Sequence, residues 1–346
     1  MGQVRKKMAN ALANTLILFV VLIFGLLGLE FASRVLFPLP PGTAFLDADE
    51  NVINVYSSPT RLIPDITYRQ VSPDFDVLTR IGPMGLRGPE PASDPEIIFL
   101  GDSFTFGQGL DEGQTFPAIF CAEMNAVCAN LGLPGTGTFA QATILENWLE
   151  QEDWRPTEVR HFVFAMASAI TFGNDLFDTV VEINTEFVDG YDAGAAQATA
   201  RGGGIDGTLR TIASLRGRVL INSNLARIVV VQFGPTLRAW LSPGASSSDL
   251  ADGIEAMKTQ IERVHVLSEA RGFRYMIYVI HPMQDLIRGS YDQTADAVRQ
   301  AAAGFAPVID TAPALLGDPA DYYFPYDGHI NAEGARRIAQ FLLNQD

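Results

Sequence analysis

The chain has 346 residues, 47% of them hydrophobic, which is enough for one sizeable α/β domain with additions around a continuous core and excludes a disordered protein. Forty Asp and Glu against 24 Lys and Arg leave a formal charge of -16 with no basic patch beyond the first few residues. That balance argues against a nucleic-acid partner, which draws its affinity from clustered Lys and Arg, and says nothing about fold.

Arg5, Lys6 and Lys7 open the chain, followed by uncharged residues from Met8 to Asn14 and an apolar run from Thr15 to Leu29. Met8 to about Leu29 gives roughly the ~20 residues that cross a hydrocarbon core of ~30 Å. Only Arg34 follows closely, so the positive-inside rule predicts a cytoplasmic N-terminus and a periplasmic or extracellular bulk after about residue 35. A cleaved signal peptide shares the basic start, but its apolar core spans only ~7–15 residues, and Glu30 to Arg34 makes a poor small-residue cleavage site. The expectation is an uncleaved single-pass anchor in the cell membrane.

The predicted organisation is a basic start at 1–7, an anchor and its exit at 8–36, a linker and N-terminal arm at 37–95, and a main domain at 96–346. Phe37 to Gly42, with three prolines, ends the helix and begins the linker. Short strands are expected in the arm at Asp65–Arg69 and Asp76–Arg80, before the turn-rich Gly82–Gly88. From Glu96 onward, apolar strand-like runs alternate with helical patterns, the signature of a parallel sheet with crossover helices. Strands are expected at 97–100, 126–131, 159–165, 275–280 and 308–310, and helices at about 116–125, 139–150 and 332–344. A long insertion at about 179–254, holding a helical stretch near Leu209–Trp240, either shapes a substrate cleft or covers one sheet face. Its Gly-rich piece at Arg201–Gly204 does not follow a strand and is not a nucleotide loop. The two cysteines, Cys121 and Cys128, are free to form a local disulfide after export or to stay as buried thiols, and offer no metal-site pattern.

The strand Ile97–Leu100 ends in Gly101-Asp102-Ser103. Ligands of open α/β sheets bind at the carboxyl ends of the strands, so Ser103 stands where a nucleophile is useful, and a helix or turn starting after it aims free N–H groups at a forming anion. Near the C-terminus, Asp327 and His329 lie two residues apart. A serine hydroxyl needs a base to take its proton, and the base works best with a carboxylate fixing its tautomer; His329 and Asp327 can fill these roles. His161 opens an apolar strand, His265 lies in a surface-like helix, and His281 precedes Pro282 at a strand end, where it is a candidate cleft residue. Two further loops after strands can supply oxyanion donors, Gly135 through its backbone N–H, with Gly132 as the substitute, and Asn174 through its side-chain amide.

These four blocks resemble those of the SGNH/GDSL hydrolases over roughly Glu96 to Asn344. The resemblance implies a flavodoxin-like three-layer α/β/α sandwich. It also implies Ser103 as nucleophile and first oxyanion donor, Gly135 and Asn174 as the other donors, and His329 with Asp327 as base and orienting acid. It implies acyl-ester chemistry without metal or organic cofactor. The Gly-x-Ser-x-Gly elbow of the other large esterase fold is missing at Ser103. One departure stands out: the family usually places two residues between acid and histidine, whereas only Gly328 separates Asp327 from His329, and Tyr326 occupies the position three before the histidine.

The expected function is therefore a serine esterase acting on an acyl-ester small molecule or an acylated envelope carbohydrate or lipid. An O-acetyltransferase working on an exported polysaccharide would use the same residues, and a non-catalytic anchored binding module is the rival from another class.

Overall fold

The computed structural model describes residues 2–36, 43–51, 53–58, 60–165, 223, 225 and 248–345. The chain divides into two compact units, one made of residues 1–42 and 202–245, the other of 43–201 and 246–346.

The first unit carries helix α1, Gly2–Leu36. Its stretch Ile17–Val35 is long and apolar enough to cross a membrane, with a mean hydropathy of 2.1, and its large side chains are exposed. The charged residues near its end are paired: Glu30 accepts from Arg34 at 2.7 Å, from the hydroxyl of Ser223 at 2.8 Å and from the Leu225 N–H at 3.0 Å.

In the second unit the strands are β1 Ala44–Leu46, β2 Tyr56–Ser58, β3 Arg61–Leu62, β4 Thr67–Val71, β5 Asp76–Arg80, β6 Ile97–Gly101, β7 Cys128–Gly132, β8 Glu158–Phe164, β9 Arg274–Ile280 and β10 Val308–Asp310. Strands β6 to β10 form one wholly parallel sheet in the order β10-β9-β8-β6-β7. Counted from β6 this is the doubly wound order 2-1-3-4-5, whose ligand crevice lies where the winding reverses, beside the end of β6.

Every residue of β6 is buried, which a half-exposed strand would not show, and its side chains alternate between two cores. Ile98 and Leu100 face helices α4 (Thr138–Gln151), α5 (Ser248–Arg271) and α7 (Tyr291–Ala302) through Leu145, Trp148, Ile261 and Val298. Ile97 and Phe99 face α3 (Phe116–Met124) and α9 (Ala332–Leu343) through Phe116, Phe120, Ile338 and Leu342. Three layers result, as the resemblance implied. The remaining helices, α2 (Ser103–Phe106), α6 (Met283–Arg288) and α8 (Ala312–Leu315), are short.

The arm forms a small antiparallel sheet, β1-β4-β5, and a β2-β3 ribbon. Buried Gln70 donates to Thr79 at 2.6 Å and accepts the N–H of Gly109 at 3.1 Å, fastening the arm to the loop after Ser103. Tyr56 donates to the Pro134 carbonyl at 3.0 Å, and Phe75 packs on Phe324 with ring centroids 4.9 Å apart.

Some boundaries differ from the sequence expectation. Strand β4 begins at Thr67 rather than Asp65, because Asp65 takes a turn conformation with φ 54°. Strand β7 begins at Cys128 rather than residue 126, because Asn125 ends α3 in the left-handed region and the Ala126 N–H still bonds to the Cys121 carbonyl. Of the insertion expected at 179–254, only 223, 225 and 248–254 are among the described residues; 248–254 belong to α5, and Ile254 reaches the core. The predicted linker Phe37–Gly42 is also outside them. The open question of Cys121 and Cys128 resolves to a disulfide closing the α3–β7 turn, with the two Cα atoms 6.2 Å apart.

Candidate active site

Strand β6 delivers Ser103 to the carboxyl edge of the sheet, and α2 starts at that residue. A Cβ on Gly101 would collide with the Thr105 hydroxyl and lie 2.9 Å from the Phe162 carbonyl, so only glycine fits this close approach. Asp102 caps α2 by accepting the Phe104 N–H at 2.9 Å. Burial pushes its carboxyl up to about 6, a rise that the Phe104 N–H and the nearby His329 only partly oppose. As the first residue of α2, Ser103 presents an N–H with no intrahelical partner.

His329 and Asp327 come to Ser103 from the loop before α9. The Phe324 N–H bonds to the His329 carbonyl at 2.7 Å and Tyr323 bridges Ile330, so this loop is a pinned turn. At its tip Gly328 takes φ 84°, a left-handed conformation that swings the Asp327 carboxylate back toward the imidazole. Asp327 Oδ1 stands 2.5 Å from Nδ1 of His329, and Nε2 of His329 stands 2.6 Å from Oγ of Ser103. With the Nδ1 proton directed at Asp327, Nε2 is the free base and the Ser103 hydroxyl donates to it. Phe104 lies against the imidazole, ring centroids 4.5 Å apart, and stacks on Phe164 behind it.

The Asp327 side chain is 6% exposed. Burial raises its pKa, but the bond and charge of His329, with the hydroxyl of Thr43 and the amide of Gln108, outweigh that and hold it below the ordinary carboxylate value. Thr43 and Gln108 both donate to Oδ2, the latter at 3.2 Å. Asp74 accepts the main-chain N–H groups of Tyr326 and Asp327 at 2.8 and 2.7 Å. None of these three partners was named from the sequence. Thr43 lies 284 positions from Asp327, a distance at which no local pattern carries a signal.

Gly135 sits in the turn after β7, the strand beside β6, with φ 75° and an exposed surface. Its N–H makes no backbone hydrogen bond among the described residues. Gly132, the substitute donor, is not available: its N–H is given to the Asn130 side chain at 2.9 Å, and the Asn130 amide in turn donates to the Thr105 carbonyl at 2.9 Å. Asn174 lies outside the described residues. His281 is wholly buried and bonded to Asp310 at 2.8 Å, so it belongs to the core and not to a cleft.

Among the described residues no group of three or more His, Cys, Asp or Glu is placed to hold a metal ion. A cavity of about 440 Å³ lies by the edge strand β7, lined by Arg87, Glu90, Pro117, Cys121 and Cys128 among others; none of Ser103, Asp327 and His329 borders it.

Hydroxyl, imidazole and carboxylate bonded in series at the carboxyl edge of a parallel sheet form an arrangement that can make a serine nucleophilic. The chain belongs to the GDSL-like lipase/acylhydrolase family, whose profile matches residues 99–337. No curated protein matches the sequence. Among solved structures it is similar to the psychrotrophic esterase EstA from Pseudoalteromonas sp., at 13% identity and TM-score 0.39, with 72% of this chain and 94% of that chain covered. It is similar also to the acetylxylan esterase Axe2 from Geobacillus stearothermophilus, at 12% identity and TM-score 0.39, covering 73% and 94%. A carbohydrate esterase family 2 enzyme with a carbohydrate binding domain from Corynascus thermopiles matches at 12% identity and TM-score 0.39 over 88% and 86%. Likenesses this distant add no weight to the family match.

Proposed function

We propose that the protein is a membrane-anchored serine esterase that removes acyl groups, acetyl above all, from a carbohydrate or lipid of the cell envelope. The observation that carries this reading is the unbroken series Ser103–His329–Asp327. In the first step His329 Nε2 takes the Ser103 proton as Oγ attacks the ester carbonyl, and Asp327 steadies the imidazolium. The N–H groups of Ser103 and Gly135 and the side chain of Asn174 hold the oxyanion. Collapse of the tetrahedral adduct breaks the ester C–O bond, and the imidazolium gives its proton to the departing alcohol. Water, deprotonated by His329, then attacks the acyl-enzyme and frees the acid.

The placement is supported by Arg5, Lys6 and Lys7, which precede the apolar span Ile17–Val35; by the positive-inside rule this bias favours a cytoplasmic N-terminus with residues 96–346 and the arm outside. Envelope esters are the substrates such a tether reaches.

The test is turnover of short and long acyl nitrophenyl esters by the full chain in detergent, beside Ser103→Ala and His329→Ala. The parent is expected to prefer the acetyl ester and both variants to lose about 10⁴-fold or more in kcat. A Ser103→Ala enzyme as active as the parent sinks the reading. Adding a sugar acceptor separates hydrolysis from acyl transfer: free acid as the main product supports the esterase, and acylated sugar the transferase.

A further inference from the structure

We propose that Thr43 and Gln108 are positioning residues of the reaction: they hold the second oxygen of Asp327 so that its first stays on His329. The proposal rests on the reading of Asp327 as the orienting acid.

An ionised carboxylate has two oxygens and about four acceptor sites, and rotates readily unless both oxygens are held. Asp327 spends Oδ1 on His329, and two donors converge on Oδ2, the Thr43 hydroxyl and the Gln108 amide. The side chain is only 6% exposed, so solvent offers little replacement. The main chain is held as well, by Asp74 from the arm.

The departure in spacing explains why this outside grip is needed. With only Gly328 between acid and base, the carboxylate hangs on a left-handed glycine, the residue that constrains its own backbone least. What the turn leaves loose, the arm and the loop after Ser103 hold fast. Gln108 closes the circuit: its main-chain N–H bonds to the Ser103 carbonyl at 3.0 Å, while its amide also stands 3.4 Å from Nδ1 of His329. One residue thus connects the backbone of the nucleophile with the acid. Thr43, for its part, directly follows the linker from α1, so the segment adjoining the anchor is part of the catalytic apparatus.

The experiment compares Thr43→Val, Thr43→Ser, Gln108→Met and Asp327→Asn with the full-length parent, reading kcat and KM for the acetyl nitrophenyl ester and the melting temperature. Valine keeps the shape of threonine but cannot donate, and serine restores the donor. Thr43→Val is expected to lose about tenfold in kcat, the size of one charge-assisted hydrogen bond withdrawn, at unchanged KM. Thr43→Ser is expected within about twofold of the parent, and Gln108→Met to fall as Thr43→Val does. Parental kcat in both Thr43→Val and Gln108→Met, with Asp327→Asn inactive, overturns the positioning role and leaves the acid in place. A serine variant as impaired as the valine one also overturns it, since packing rather than donation would then matter. A fully active Asp327→Asn enzyme overturns the reading of the acid itself and this proposal with it.

Discussion

Asp327 and His329 meet at 2.5 Å across a single intervening residue, Gly328, whose φ of 84° turns the chain back on itself between them. A Cβ at Gly328 would meet nothing within 4 Å, so replacing it tests the backbone conformation alone. Gly328→Ala is expected to cost about 1–2 kcal/mol, the penalty of an L-residue in the left-handed region, and to lower kcat by loosening the carboxylate. Gly328→Asn, which tolerates that region better, should fall between alanine and the parent. Thermal melts and ester turnover on the three proteins check the ranking.

Asn130 joins the end of β7 to the turn carrying Ser103, through Gly132 on one side and Thr105 on the other. Asn130→Ala leaves a donor and an acceptor of the main chain unpaired and is expected to cost about 1–3 kcal/mol. Because the Thr105 carbonyl belongs to the helix that Ser103 opens, kcat should fall as well. Urea unfolding with parallel kinetics is the measurement; a stable, fully active variant would show the link to be dispensable.

Two buried groups give stability a pH dependence of opposite sign. His161, wholly enclosed by Tyr275 and Gln141 at 2.8 and 2.7 Å, has its pKa pushed by burial from 6.5 to about 3. The unfolded chain therefore takes up a proton that the folded chain refuses, and stability present above pH 6.5 drains away as the pH falls toward 3. Asp102, raised from 3.8 to about 6, binds its proton first in the folded state, so its contribution is favourable below 3.8 and is lost as the pH rises through 6. Melting curves from pH 3.5 to 7.5 should show a shallower acid loss in His161→Gln and a steeper one in Asp102→Asn. Asparagine keeps the cap, so the second variant should also melt higher than the parent at pH 7.

The Cys121–Cys128 bridge closes a short loop, seven positions apart, at the amino end of the sheet where Cys128 lies beside Ile97. Chain entropy alone assigns it about 2–3 kcal/mol. Urea midpoints with and without reductant measure this. Ester turnover in mild reductant should be unchanged, because Ser103 lies at the opposite end of β6.

Strands β6 and β9 were legible as nearly continuous apolar runs, β7 and β8 despite the polar Asn130, Arg160 and His161 within them, and Ser103 and the Asp327–His329 pair drew notice because each follows a turn signal at an element's end. The arm was harder to read. Its strand β1 is three residues long with no period to detect, and β4 is displaced by the left-handed Asp65, a conformation that aspartate does not announce. The contacts of Thr43, Asp74 and Gln108 with the acid loop are tertiary, joining segments more than 200 residues apart, and nothing local in any of the three specifies its partner.

That separation along the chain has a consequence for biogenesis. Thr43 is made 284 positions before Asp327, so during synthesis the Thr43 and Gln108 donors wait for their acceptor. Until residues 327–329 are made, the hydroxyl of Ser103 lacks its bond to the His329 imidazole. On the proposed reading, the order of synthesis itself keeps the chain inert toward esters until then.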